Sequence, residues 1–106
     1  MSIIGKGTKI FPGAIISDKA RIGKNCKISS GAIIGWCEIG DNVYIGSNVK
    51  IFNGVQIGNS CRIEKGVEIR PQVVIERAVI IETRAKIHSG SIIGHHSKVG
   101  AYSEVI

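Results

Sequence analysis

The sequence predicts an all-β fold in which short parallel strands wind into a three-sided coil of about six turns. Three observations lead there: isoleucine recurs every six residues, glycine and asparagine stand at fixed offsets from it, and leucine is missing. Among the 106 residues 22 are Ile, 14 are Gly, none is Leu and five are aromatic. Helical bundles lean on Leu, Ala and Met, so that class is excluded. β-Branched residues between regular glycines point to strands and turns. The length fits one domain, 1–106. No run of about eighteen apolar residues occurs, so no membrane span and no membrane partner are expected. The first residues lack the apolar stretch of a secretory signal, and a cytoplasmic location is the expectation.

The first column to place is the large one. Ile4, Ile10, Ile16, Ile22, Ile28 and Ile34 stand six apart. After a slip of one, the period resumes at Ile39 and runs through Ile93, Val99 and Val105, giving sixteen Ile and two Val in register. Two residues before each lies a smaller class, including Ala20, Cys26, Ala32, Cys37, Val43 and Val49, and ending in Ser91, Ser97 and Ser103. Side chains two apart in a strand share a face, so each repeat is a short strand with one small and one large residue turned inward.

Corners come next. Three residues after the large position stand Gly7, Gly13, Asn25, Gly31, Asn42, Asn48, Gly54, Gly66 and Gly90. These residue types tolerate the left-handed backbone of a sharp turn. Corners so close together leave no room for hairpins. Three strands around a triangular core close one turn in about eighteen residues, and turns stack at the ~4.8 Å spacing of paired strands. Six such turns make a prism on the order of 29 Å tall with isoleucine over isoleucine inside. Between Ile34 and Ile39 the repeat is one residue short, and Cys37 still stands two before Ile39. The deletion is therefore expected in the corner, leaving the strand's facing unchanged.

With these columns in place, the chain resembles the hexapeptide-repeat family along essentially its whole length. Ile22-Gly23-Lys24-Asn25-Cys26-Lys27 and Ile45-Gly46-Ser47-Asn48-Val49-Lys50 follow the family motif residue by residue. The resemblance implies a left-handed parallel β-helix, a hand opposite to the usual crossover rule. The register leaves no inserted loop and no capping helix. The stretch 32–36 is also similar to a segment in the β-helical tails of sugar-nucleotide pyrophosphorylases. The Gly-rich nucleotide-binding half of those enzymes has no counterpart here, so nucleotidyl transfer by this chain alone is not expected.

Cys26, Cys37 and Cys61 fall in the small inward column. They read as free apolar fillers, since their number is odd and no C-x-x-C spacing occurs. His88, His95 and His96 stand outside both inward columns, at corners. In many acyltransferases of the family that this chain resembles, a corner histidine is the general base that takes a proton from an acceptor attacking an acyl-CoA thioester. By that resemblance His88, His95 or His96 is the candidate base. Ser89, Gly90, Ser91, Gly94 and Gly100 would let a pantetheine arm approach backbone amides, and Lys98 could meet a phosphate. The co-substrate implied is acetyl-CoA or another acyl-CoA.

No metal is expected. The γ-class carbonic anhydrases resemble the same coil with a three-histidine zinc site, but one turn below His88, His95 and His96 lie Arg70, Arg77 and Ala78. The net charge is +6, and one outward column, Lys9, Lys27, Tyr44, Arg62, Ile80 and Lys98, is mostly basic. Such a column suits an anion or a solvated surface, and the aromatics are too few for nucleic acid. Outward Ile15 and Ile33 stack on one face, and Val74 and Ile92 on another. Apolar pairs on flat sheets mark partner surfaces, and with the family resemblance they imply a homotrimer. Two functional classes follow: a CoA-dependent acyltransferase acting on a sugar or amino-acid-like acceptor, or a non-catalytic β-helical scaffold.

Overall fold

The computed structural model describes residues 2–106; Met1 lies outside them. Eighteen strands of two or three residues form three six-stranded parallel sheets. Each sheet is one side of a prism measuring 32 × 23 × 19 Å. The first side runs from Ile3–Ile4 to Ile92–Ile93, the second from Lys9–Ile10 to Lys98–Val99, and the third from Ile15–Ile16 to Glu104–Val105. No helix occurs among the described residues. The six coils span 2–19, 20–36, 37–54, 55–72, 73–90 and 91–106.

A two-residue strand cannot stand alone, and each here is held by the coils below and above it. The Tyr44 N–H donates to the Cys61 carbonyl at 3.0 Å and the Gly46 N–H to the Ile63 carbonyl at 2.8 Å. Strands pair in register with the strand eighteen residues on, as in Ile57↔Ile75. Across the short repeat the offset is seventeen, Ile22↔Ile39. The deletion thus falls in the corner at Gly35 and Trp36, and Cys37 keeps its inward facing.

Ile22, Ile39, Ile57 and Ile75 form a single internal file, each at most 4% exposed. The small column fills the space beside them, including Cys26, Cys37 and Cys61 as free thiols. No polar or charged residue is buried among the described residues. Each fully buried Ile contributes roughly 1.5–3 kcal/mol, so the stack of coils carries most of the stability. Burial pushes the Cys37 thiol up to about 12, with Glu38 adding to the effect. Thiolate chemistry at that position is suppressed.

All nine predicted Gly and Asn corners have positive φ, from 55° at Asn25 to 88° at Gly13. Six further corners share the conformation without either residue type: Ser60, Gln72, Ala78, Arg84, His96 and Tyr102. A second glycine column has a different reason. A Cβ at Gly58 would lie 2.7 Å from the Arg77 nitrogen, because the next coil crosses directly above.

Candidate active site at the upper corners

The last two coils are linked by one side-chain pair at each corner of the triangle. At the first corner Glu76 reaches up to His95, accepting from its backbone N–H at 3.0 Å and lying 3.3 Å from its Nδ1. At the second, Lys98 Nζ lies 3.2 Å from Glu82 Oε2. At the third, His88 Nε2 lies 2.9 Å from Glu104 Oε1. Hydrogen bonds from His95, the backbone one first, hold the Glu76 carboxyl below its ordinary range. The His88 hydrogen bond does the same to Glu104.

The two imidazoles are differently disposed. His95 spends Nδ1 on the Glu76 carboxylate, and its Nε2 makes no hydrogen bond among the described residues. His88 spends Nε2 on Glu104 and leaves Nδ1. His96 takes the left-handed corner position, φ 61°, with its ring edge-on to His95 at 5.3 Å. Glu76 also lines an open groove of about 610 Å³ on the first side, together with Glu38, Gln56, Val74 and Arg77. Glu76 is the link at this corner: it lines the groove, and His95, outside the lining, hydrogen-bonds to it. That set can take a proton from a hydroxyl or amine lying in the groove.

The other residues singled out in the sequence are spread over three corners. His88, Ser89, Gly90 and Ser91 occupy the third, with Gly90 at φ 77°. Gly94, His95 and His96 form the first, and Gly100 begins the second. The Ser91 hydroxyl is buried without a partner. A Cβ at Gly94 or Gly100 would meet nothing closer than 3.4 Å, so the backbone there is open to approach. Lys98 is engaged by Glu82 and meets a phosphate only by leaving it. Among the described residues no group of three or more His, Cys, Asp or Glu is placed to hold a metal ion. The carboxylate partners escaped the sequence reading because the vertical stacking rule puts Gly94 above Glu76. The pair forms one residue along the coil, an offset of nineteen.

Three parallel sheets closed into a six-coil prism, with imidazole–carboxylate pairs at two of its corners, define a three-sided parallel β-helix. The family model described as bacterial transferase hexapeptide (six repeats) matches residues 1–35, 20–53 and 43–77. The chain belongs to that family, and its coil is the left-handed β-helix of the acetyltransferases it resembles in structure. A UDP-N-acetylglucosamine acyltransferase from Bacteroides fragilis superposes with a TM-score of 0.65 at 20% identity, over 98% of this chain and 50% of that one. A variant perosamine N-acetyltransferase from Caulobacter crescentus, solved with CoA and GDP-perosamine, gives 0.66 at 16% over 98% and 51%. The Francisella novicida UDP-N-acetylglucosamine acyltransferase gives 0.61 at 19% over 93% and 52%. This chain thus spans about half the length of those proteins, and at these identities the likeness is one of fold. No curated protein matches the sequence closely enough to count as a relative.

Proposed function

We propose that the protein transfers an acyl group, acetyl by preference, from CoA to a hydroxyl or amine of a sugar or amino-acid-like acceptor. The observation that carries this is His95 hydrogen-bonded to Glu76, which itself lines the first-side groove. His95 Nε2 accepts the acceptor's proton as its oxygen or nitrogen attacks the thioester carbonyl. The C–S bond breaks, and the same proton passes to the departing thiolate of CoA. Glu76 holds the imidazole in the required tautomer and steadies its charge while it carries the proton. His88 and His96 stand by as alternatives. Ser89, Gly90, Ser91, Gly94 and Gly100 supply small backbone approaches for the pantetheine arm, with Lys98 for a phosphate.

The reading includes a cytoplasmic homotrimer of parallel prisms, each a single domain, 1–106, with sites between subunits. Ile15, 64% exposed, and Ile33 would meet a neighbour on one side, and Ile92, 71% exposed, with Val74 on another. A second reading, a non-catalytic scaffold, draws on one observation: among the described residues no loop or helix walls the groove. The two separate in one experiment. CoA at 100-fold over its dissociation constant should add about 2.7 kcal/mol of stability, seen as a raised Tm. His95→Asn should keep that shift and lose acetyl transfer to an amine or sugar panel by about 100-fold or more. No shift at millimolar CoA leaves the scaffold, and a clean monomer by light scattering removes the shared sites.

A further inference from the structure

The charge of this protein is sharply divided along its axis. Residues 1–36 hold six of the 14 Lys and Arg and one of the 8 Asp and Glu, Asp18. That leaves a net +5 for 1–36 and +1 for everything above. Every ion pair among the described residues lies between Arg62 and Glu104. The six lower cations have none.

Their placement is specific. Across the first corner, coil 1 presents Ile3, Lys6, Lys9 and Phe11 in succession. Coil 2 stacks Arg21, Lys24 and Lys27 directly above the first three. Lys9 and Lys27 face each other in register on the second side, where like charges repel and cost stability. The Lys27 ammonium lies 5.3 Å from the Phe11 ring and 5.7 Å from that of Tyr44. Coil 3 borders the band with Glu38 in register with Arg21 and with Asp41 Oδ1 accepting from the Lys24 N–H, and neither carboxylate forms an ion pair with its cations. Ile3 and Phe11 are 59% and 40% exposed at the flanks of this band.

From this arrangement the geometry points to a peripheral docking surface for an anionic lipid bilayer, formed by the first corner of coils 1 and 2. The band runs across the prism axis over a convex edge. A plane of phosphates can meet such an edge, whereas a nucleic-acid strand needs a groove or stripe with free aromatic faces. The faces of Phe11 and Tyr44 are taken by Lys27 and Arg62. Lysines set between exposed apolar side chains also match the headgroup boundary, where cations meet phosphate and apolar groups sink between them. This contact is peripheral, and the lack of an apolar span does not bear on it. It is independent of the acyl-transfer reading.

The test is co-sedimentation of the intact protein with vesicles of phosphatidylcholine containing one-third phosphatidylglycerol, against vesicles of pure phosphatidylcholine. Binding is expected to the anionic vesicles alone, and to vanish in molar salt. Each lysine removed from the band should weaken it about fivefold, so Lys9→Gln with Lys27→Gln loses about 25-fold. A control with Lys50→Gln and Lys86→Gln, which removes the same charge from the third side, should bind as the parent does. All of these lysines are exposed, and thermal midpoints no lower than the parent's verify folding. Equal loss in both double variants, equal binding to neutral vesicles, no binding at all, or tighter binding to a single-stranded oligonucleotide would each overturn the proposal.

Discussion

In the lower half of the prism, residues 2–54, every corner residue with positive φ is Gly or Asn, seven positions from Gly7 to Gly54. In the upper half, 55–106, eight corners take the same conformation, and six of them are neither: Ser60, Gln72, Ala78, Arg84, His96 and Tyr102. The fastening between coils differs in parallel. Below, side chains cap backbone groups of the neighbouring coil. Thr8 Oγ1 donates to the Gly23 carbonyl, Asp41 Oδ1 accepts from the Lys24 N–H, and Asn53 Oδ1 from the Trp36 N–H. Above, charged side chains pair with each other, and two of the three pairs joining the last coils contain histidine. The upper half therefore trades unstrained corners for side chains that can exchange protons. A backbone-capped corner holds the coil but offers no chemistry, whereas a corner such as Glu76–His95 offers both.

The largest effect expected from this contrast concerns glycines with and without a coil above them. At Gly58 an added Cβ would press on the Arg77 nitrogen and the Glu76 carbonyl carbon, at 2.7 and 2.9 Å, which are backbone atoms that cannot swing away. Gly58→Ala should cost about 3 kcal/mol, the upper end for overpacking, measured by urea unfolding. At Gly94 the nearest atom would be Ser97 Oγ at 3.8 Å. Gly94→Ala should stay within about 0.5 kcal/mol of the parent. Equal losses at the two positions would mean that coil-on-coil crowding is not what selects glycine in this column.

An effect of about 1 kcal/mol is expected at the first corner, where Asn25, Asn42, Ser60, Ala78 and His96 stack at the same left-handed position. Asn tolerates that conformation better than Ala because its short amide bonds locally to the backbone. Asn42→Ala should lower stability and Ala78→Asn should raise it, each by about 1 kcal/mol, or roughly 4–8 °C in Tm. Opposite signs are the informative outcome. If both substitutions destabilise, the upper corners are held by their surroundings and store no strain.

The same corners show how far the residues alone could be read. The period of six and the in-out alternation determine the prism, because an inward Ile must be buried and a two-residue strand has no partner except the next coil. Gly and Asn marked nine corners correctly, and the deletion after Ile34 fell in the corner because Cys37 kept its distance from Ile39. Ser60, Gln72, Ala78, Arg84, His96 and Tyr102 were not legible as left-handed. Their own preferences oppose that backbone, and bonds to the coil below impose it, as from the His96 N–H to the Arg77 carbonyl and the Tyr102 N–H to the Thr83 carbonyl. The site was legible in part. His88 and His95 were placed at corners, but Glu76 and Glu104 were not joined to them, because vertical register describes backbone neighbours and the side-chain pairs depart from the offset of eighteen, to nineteen for Glu76–His95 and sixteen for His88–Glu104.

The smallest effect lies in the acid response of the last coil. Glu76 and Glu104 have folded-state pKa values below the ordinary 4.5, through hydrogen bonds from His95 and His88. A carboxylate with a depressed folded pKa contributes stability that is present above its unfolded value and is lost as pH falls through the folded one. Both groups are exposed, so solvent screening keeps the contribution small. The change should therefore be local, a loosening of residues 91–106 below about pH 4.5 while the core stays folded. Hydrogen exchange, corrected for its intrinsic pH dependence, should show protection falling in peptides from coil 6 and holding in those from coils 1–3. Glu76→Gln combined with Glu104→Gln should remove the pH step and leave coil 6 equally loose at neutral and acid pH. Protection in coil 6 that stays constant through this range in the parent protein would show that its backbone ladder alone holds it. The histidine pairs would then be free to serve only as proton carriers.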